Sequence, residues 1–217
     1  MKPMKTLLVT TALLISATAF AADTMTVKIT PDIASVDVLH NGKKTTILRN
    51  QNEGNTVIPA FAKTSRKCPP FCIQPAHLAP GVETIGELEV LDYLARMSAG
   101  DTSILVIDSR TPDWVKKGTI PGSVNIPWTN LNPASGADPI SISEIMVNTF
   151  GVEEMEGLWD YSDARTLVLF CNGMWCGQSP NNIKNLLKFG YPADKLKWYR
   201  GGMQDWEILG LTTVSSE

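Results

Sequence analysis

Residues Leu167-Val168-Leu169-Phe170-Cys171-Asn172-Gly173-Met174-Trp175-Cys176-Gly177-Gln178-Ser179-Pro180 decide the reading of this chain. Leu167 to Phe170 is apolar without alternation, the pattern of a central strand covered on both faces. Ser179-Pro180 is expected to cap a helix running through Phe189, with Gly190 placed to end it. Cys171 lies between that strand and that helix. Free backbone N–H groups converge at such a junction, and the helix dipole favours negative charge. A thiolate is stabilised there and becomes available as a nucleophile. The same donors can hold an oxyanion or the anionic sulfur of a persulfide. Gly173 and Gly177 let the backbone turn without a Cβ penalty. Two blander readings stand beside this one. Cys171 can be an inert buried cysteine, or one end of a structural Cys171–Cys176 disulfide, which the four intervening residues allow sterically.

Upstream of the loop, helices alternate with short apolar strands. Thr84 and Glu87 match a capping box, and Leu88, Leu91, Leu94 and Ala95 follow at helical spacing. Ile104 to Ile107 is a strand candidate that ends in Asp108-Ser109-Arg110. Thr111-Pro112 starts a short helix, since proline is tolerated at the first helical position. Val124 to Ile126 reads as a short strand, and Ser141 with Glu144 as a second capping box. Downstream, Leu196 to Tyr199 is the last strand candidate, followed by Gly201-Gly202 and a short helix around Trp206. This alternation predicts an α/β domain with a mainly parallel central sheet. Sites in such sheets form outside the carboxyl ends of the strands. Asp108-Ser109-Arg110, Pro127-Trp128 and Cys171 with its loop all fall at such ends.

The N-terminal third reads differently. Lys2 and Lys5, the apolar run Leu7 to Ile15 and the small-x-small pattern Ala19-Phe20-Ala21 read as a secretory signal peptide over residues 1–21. The apolar run is too short to span a bilayer. The expected setting is the periplasm, as an exported soluble protein with no stable membrane insertion after cleavage. Residues 22–83 read as a β-rich extension followed by a proline-rich wrap. Val27 to Thr30 is a strand candidate. Val36, Val38 and His40 alternate with Ser35, Asp37 and Leu39, and Asn41-Gly42 supplies a tight hairpin turn before Thr45 to Leu48. Five prolines mark the irregular segment from Pro59 to Pro80, with Phe61, Phe71 and Ile73 as candidate anchors. The second unit spans residues 84–217.

Without the two lysines of the signal, 17 basic residues face 22 acidic ones. That balance leaves no electrostatic footprint for nucleic acid, and an anionic ligand must be caught locally. The four cysteines fall in two pairs, Cys68 with Cys72 and Cys171 with Cys176. An exported chain meets an oxidising environment in which disulfides persist. Cys68-Pro69-Pro70-Phe71-Cys72 is read as a structural disulfide bracing the wrap, or as a second redox pair. A four-cysteine zinc site requires both pairs to converge. Cys171 with Cys176 is not a Cys-x-x-Cys pair, so a thioredoxin-type reading lacks its motif.

From about Thr84 to the end, the chain resembles a rhodanese homology domain. Four segments carry the likeness. Val106-Ile107-Asp108-Ser109-Arg110 matches the strand that ends in Asp-x-Arg. Gly118-Thr119-Ile120-Pro121-Gly122-Ser123-Val124-Asn125-Ile126-Pro127 matches the family's Gly-His-Ile-Pro-Gly-Ala-x-Asn-Ile-Pro stretch, with Thr119 in place of histidine. Leu169-Phe170-Cys171-Asn172-Gly173 opens the active loop, and Tyr199-Arg200-Gly201-Gly202-Met203-Gln204-Asp205-Trp206 matches the closing segment. The resemblance implies a persulfide on Cys171, cradled by backbone amides of Asn172, Gly173, Met174, Trp175, Cys176 and Gly177. It implies that Asp108 supports the loop and that Arg110 pairs locally or orders the site. Read from the residues alone, Asp108 is equally a turn acceptor and Arg110 equally a solvated surface charge.

This chain also departs from the family. The loop reads as an extended variant, because the helix cap is placed only at Ser179. No lysine or arginine lies between Cys171 and Ser179, where thiosulfate-using relatives often carry a cation. Phosphatase relatives need an arginine six residues after the cysteine, and that position is Gly177. Cys176 is placed to act as a resolving thiol by attacking an oxidised Cys171. Trp128, Trp175 and Trp206 are candidates for a pocket rim. Lys184 and Lys188 share a helix face that reads as solvated. The leading function is a sulfurtransferase or sulfur carrier in reduced-sulfur metabolism, with a small sulfur-containing donor and a thiol or protein acceptor. This chemistry requires no metal or organic cofactor. A thiol–disulfide enzyme using Cys171 and Cys176, and a non-catalytic interaction domain, are the alternatives.

Overall fold

The computed structural model describes residues 25–215, and the expected signal segment lies outside them. The first elements are a hairpin, β1 (Ser35–His40) and β2 (Lys43–Leu48), paired antiparallel with Ser35 opposite Leu48. Its turn residues Asn41 and Gly42 both adopt positive φ, as the tight turn of a two-residue hairpin requires. A short helix α1 (Pro59–Ala62) follows within the wrap. Then come β3 (Glu83–Ile85), α2 (Glu87–Ser98), β4 (Ile104–Asp108), α3 (Pro112–Val115), β5 (Val124–Asn125) and α4 (Pro139–Asn148). A second hairpin, β6 (Glu153–Met155) and β7 (Leu158–Asp160), precedes β8 (Thr166–Phe170), α5 (Gln178–Lys188), β9 (Leu196–Tyr199) and α6 (Gly202–Ile208).

Five strands form one parallel sheet in the order β3-β9-β8-β4-β5. The strand that ends at Cys171 is therefore the middle one. Its residues alternate between two cores. Leu167 and Leu169 pack with Ile183 and Leu186 of α5 and Met146 of α4 on one face. Val168 and Phe170 pack with Leu94 of α2 and with Met203 and Trp206 of α6 on the other. All four strand residues are fully buried, so the run had no polar side to show in sequence. In register, Asp108 lies opposite Phe170 and Phe170 opposite Tyr199, which brings the ends of β4, β8 and β9 level. Val38 and Ile47 of the hairpin and Phe61 of α1 join the second core.

Several local expectations are corrected. Val27 to Thr30 is not a strand: the N–H groups of Ile29 and Thr30 both donate to Ile33 O, which closes a turn. Thr84 lies in the edge strand β3, and its hydroxyl donates to Ala76 O. The cap of α2 is Gly86, whose N–H donates to Glu89 Oε2 at 2.9 Å. Asp138, not Ser141, caps α4, accepting the Ser141 N–H and hydroxyl. The N-cap of α5 is Gly177, so the cysteine loop ends earlier than a cap at Ser179 implied. Of the expected anchors of the wrap, Phe61 is buried, but Phe71 is only half-covered and Ile73 is 83% exposed. Polar contacts hold the wrap instead. Gln74 N–H donates to Met174 O at 2.8 Å, and Arg200 donates to the carbonyls of Gln74 and Pro75.

Candidate active site

Cys171 follows directly on the carboxyl end of β8 and is 2% exposed. Its carbonyl accepts the Met203 N–H at 2.9 Å, and the Asn172 carbonyl accepts the Gln204 N–H at 3.0 Å. These bonds dock the loop on the start of α6. Gly202, at φ +55, permits the approach: a Cβ there would collide with the Cys171 carbonyl and stand 2.9 Å from Gly173 N. Beyond Gly173 the chain turns through the Cys176 N–H to Gly173 O bond into α5. The loop amides of Met174, Trp175, Gly177, Gln178 and Ser179 donate to no other described residue. Unsatisfied amides at a helix start are ready donors for an anion.

Ser179 contributes a side chain that was expected to act as a cap. Its hydroxyl stands 3.2 Å from Cys171 Sγ and accepts the Trp198 indole N–H at 3.2 Å. With the indole occupying a lone pair of Ser179, the hydroxyl proton is directed to sulfur. The Cys171 and Cys176 sulfurs lie at disulfide-bonding distance, with Cα atoms 6.3 Å apart. The Cys176 carbonyl faces Cys171 Sγ at 3.5 Å, and Gln178 Oε1 lies 3.8 Å from Cys176 Sγ. Cys68 and Cys72 are likewise at bonding distance, with Cα atoms 4.7 Å apart.

Asp108 and Arg110 are both fully buried, so Arg110 is not a solvated charge. Asp108 accepts Arg110 Nε and Nη2 at 2.8 and 2.6 Å and the Arg110 backbone N–H at 3.0 Å. Thr119, which stands where the family has histidine, donates its hydroxyl to the same carboxylate at 2.7 Å. Arg110 also donates to Gly118 O at 2.7 Å and, at 3.4 Å, to Asn172 Oδ1. A charge pair satisfied on this many sides can persist without water. It ties the end of β4 to the first residue after Cys171.

A cavity of about 370 Å³ opens beside the loop. Phe71, Trp114, Trp128 and Trp175 wall it, with Cys176 and Gln178 at its side. Trp206, expected at the rim, is instead fully buried under β9, where its indole donates to Thr212 O. Lys184 and Lys188 are exposed, as a solvated helix face requires. Trp175 is the best-held residue of the loop. Its indole donates to Gln204 Oε1 at 2.7 Å, Phe71 meets it edge-on at 5.6 Å, and the Arg66 guanidinium lies 3.7 Å above its ring. Burial holds the Arg66 pKa below its ordinary value, and Arg66 Nε has no hydrogen-bond partner among the described residues.

Arg66, Phe71, Trp114, Ser179 and Gln204 belong to this site by position but were not singled out for it in the sequence. Arg66, Phe71 and Trp114 reach it from distant segments, and no local pattern marks them. Ser179 was visible, but as a cap. Among the described residues, no cluster of metal-ligating side chains is present, and no helix is long and apolar enough to cross a membrane.

No curated protein matches the chain. Among solved structures, the chain is similar to the Bacillus halodurans protein BH2092, at 18% identity over 57% of this chain and 70% of that one, with a TM-score of 0.38. It is similar to a Rhodopseudomonas palustris protein of unknown function described as a possible tyrosine phosphatase, at 19% identity over 61% and 85%, TM-score 0.39. A human single-domain sulfurtransferase, TSTD1, is 20% identical over 58% of this chain and 95% of its own, TM-score 0.36. The family model of the rhodanese-like domain matches residues 90–209, more than half of the chain, including β4, β8 and β9 and the residues Cys171 and Arg200 that follow the last two. The chain belongs to the rhodanese-like domain family.

Proposed function

We propose that the protein is a sulfurtransferase or sulfur carrier that forms a persulfide on Cys171. The carrying observation is the setting of Cys171: at the end of the central strand, before a helix start with free amides, and with the Ser179 hydroxyl 3.2 Å from its sulfur. The Cys171 thiolate attacks the outer sulfur of a sulfane donor such as thiosulfate. A new S–S bond forms, the donor's S–S bond breaks, and sulfite leaves with the electron pair. The persulfide anion is then stabilised by Ser179 and by amides of the 172–177 loop. A thiol or a protein acceptor removes the outer sulfur. Asp108 and Arg110 act on the loop through Asn172, as positioning residues.

We place this chemistry in an exported, periplasmic protein. Residues 1–21 are its signal, 22–83 the extension and wrap, and 84–217 the rhodanese-like unit. Cys68 and Cys72 form a structural disulfide within the wrap. The test is intact mass of the reduced protein after thiosulfate exposure and removal of reagent, beside Cys171→Ala. One added sulfur atom, absent from the variant, supports the reading; an unchanged mass counts against thiosulfate as donor. A second reading, a thiol–disulfide enzyme, is favoured by the 6.3 Å separation of the Cys171 and Cys176 Cα atoms, which a disulfide can span. It predicts no added sulfur and a mass lighter by two hydrogens.

A further inference from the structure

We infer that Cys176, rather than Cys171, is the sulfur first attacked when the pair is opened, and that the opener is a small uncharged thiol with an aromatic or apolar body. The inference rests on the second reading's Cys171–Cys176 disulfide, and the step it supplies would free the Cys171 thiolate on which sulfur loading depends.

The two sulfurs of the pair are not equivalent. Cys176 is on the wall of the 370 Å³ cavity, whereas Cys171 is not among the residues that line it. Both cysteines are buried, at 2% and 4% exposure, and it is Cys176 whose residue borders the cavity a thiol would enter. Electrostatics point the same way. In thiol–disulfide exchange the sulfur whose thiolate is better stabilised leaves faster. Cys171 has a hydroxyl donor at 3.2 Å and, against it, the Cys176 carbonyl at 3.5 Å. Among the described residues, the polar side-chain contact of Cys176 Sγ is a carbonyl oxygen, that of Gln178, which disfavours a thiolate. Attack on Cys176 therefore expels the thiolate that the site is built to hold.

The cavity also selects the thiol. Phe71, Trp114, Trp128 and Trp175 present apolar faces, its polar lining is amide (Asn172, Gln178, Asn181), and none of its lining residues is charged. Its volume falls in the range of roughly 300–1,000 Å³ that holds organic ligands. A charged thiol would lose hydration there without meeting a charged lining side chain, since Arg66 and Lys117 are engaged on the rings of Trp175 and Trp114.

The electrons balance as follows. The entering thiolate forms an S–S bond to Cys176 Sγ while the Cys171–Cys176 bond breaks, and the electron pair leaves on Cys171. A second molecule of thiol attacks the entered sulfur of this mixed disulfide. That releases a symmetric organic disulfide and the Cys176 thiolate, which takes a proton from water. Two thiols are oxidised and one protein disulfide is reduced. Cys171 is already a thiolate after the first step.

The test uses the full oxidised protein with benzyl mercaptan and with 2-mercaptoethanol, two neutral thiols of similar basicity. The reaction is quenched with N-ethylmaleimide, and the tryptic peptide 166–184 is read by tandem mass spectrometry. That peptide holds both cysteines of the pair and excludes Cys68 and Cys72. The expected product carries the benzylthio group on Cys176 and maleimide on Cys171. Benzyl mercaptan should open the pair about tenfold faster than 2-mercaptoethanol, as burial of an aromatic ring allows. Phe71→Ala and, separately, Trp128→Ala should each pull that ratio toward one. A benzylthio group on Cys171, or equal rates for the two thiols, overturns the inference. If both cysteines take maleimide before any thiol is added, the underlying disulfide is absent and the inference fails with it.

Discussion

The hydroxyl of Ser179 lies 3.2 Å from Cys171 Sγ because the Trp198 indole fixes its other side at the same distance. Ser179 sits within the first turn of α5, so its position is set by the helix and not by a mobile loop. A hydrogen bond to an ionised partner contributes about 1.5–3 kcal/mol, which is roughly tenfold or more in reactivity. Ser179→Ala in the reduced protein should therefore slow iodoacetamide alkylation of Cys171 at neutral pH by about tenfold. Ser179→Thr, which keeps the hydroxyl, should lose less. An alkylation rate unchanged in Ser179→Ala would remove Ser179 from the proposed chemistry. The variant also strands the buried Trp198 N–H, at a cost of about 1–3 kcal/mol in urea unfolding.

Arg110 is the counter-charge of a carboxylate that is itself fully buried. Arg110→Met leaves Asp108 charged and unpaired, and breaking a buried pair in this way costs about 3–5 kcal/mol. The urea midpoint should fall accordingly. Arg110→Lys keeps the charge but cannot donate from both Nε and Nη2, so it should recover only part of the loss. If Arg110→Met is as stable as the parent, Asp108 is not held by this pair.

Much of this arrangement was legible in the sequence, for identifiable reasons. Leu167 to Phe170 announced a central strand because both of its faces are covered, and Asn41-Gly42 announced a turn because both residues take positive φ. The Asp108 and Cys171 segments were legible as strand ends because each apolar run stops there, and the Tyr199 segment because Gly201-Gly202 follows it. Of the two edge strands, β5 was read from Val124 to Ile126, but β3 was not. Glu83–Ile85 is three residues long, pairs on one side only and shows no period. Helix starts were misplaced in both directions, since Asp138 lies upstream of the expected Ser141 and Gly86 downstream of the expected Thr84. Arg66 and Phe71 were out of reach altogether, since their partner Trp175 lies more than a hundred positions away and only the wrap brings them together.

His40 ties the hairpin to the family's core motif, accepting the Gly122 N–H on Nδ1 at 3.1 Å. An acceptor nitrogen must be unprotonated, and burial lowers the His40 pKa from its ordinary value near 6.5. The unfolded chain therefore binds a proton at a higher pH than the folded one. Stability contributed by neutral His40 is fully present above about pH 6.5 and is lost as pH falls through the folded value. Thermal melts should show a lower Tm at pH 5.5 than at pH 7.5, and His40→Asn should flatten the difference. A slope unchanged in that variant would assign the effect to another group.

Gly202 is the position at which a single methyl group should do the most damage. Its φ is +55, a conformation that costs an L side chain strain wherever it occurs. Here the added Cβ would also run into the Cys171 carbonyl, and Gly173 N stands 2.9 Å away on the same side. Both are backbone atoms that cannot rotate aside. Relief requires either the loop or the start of α6 to move, and either motion breaks the Met203 N–H to Cys171 O bond. Gly202→Ala is thus expected to lose stability by more than the roughly 1 kcal/mol of an ordinary glycine change. It should also lower sulfur loading on Cys171 at temperatures where the variant remains folded. Circular dichroism melts and intact mass after thiosulfate, run on the same preparation, separate the two effects. A folded variant that loads sulfur like the parent would show that the docking of Cys171 on α6 is not needed for the chemistry.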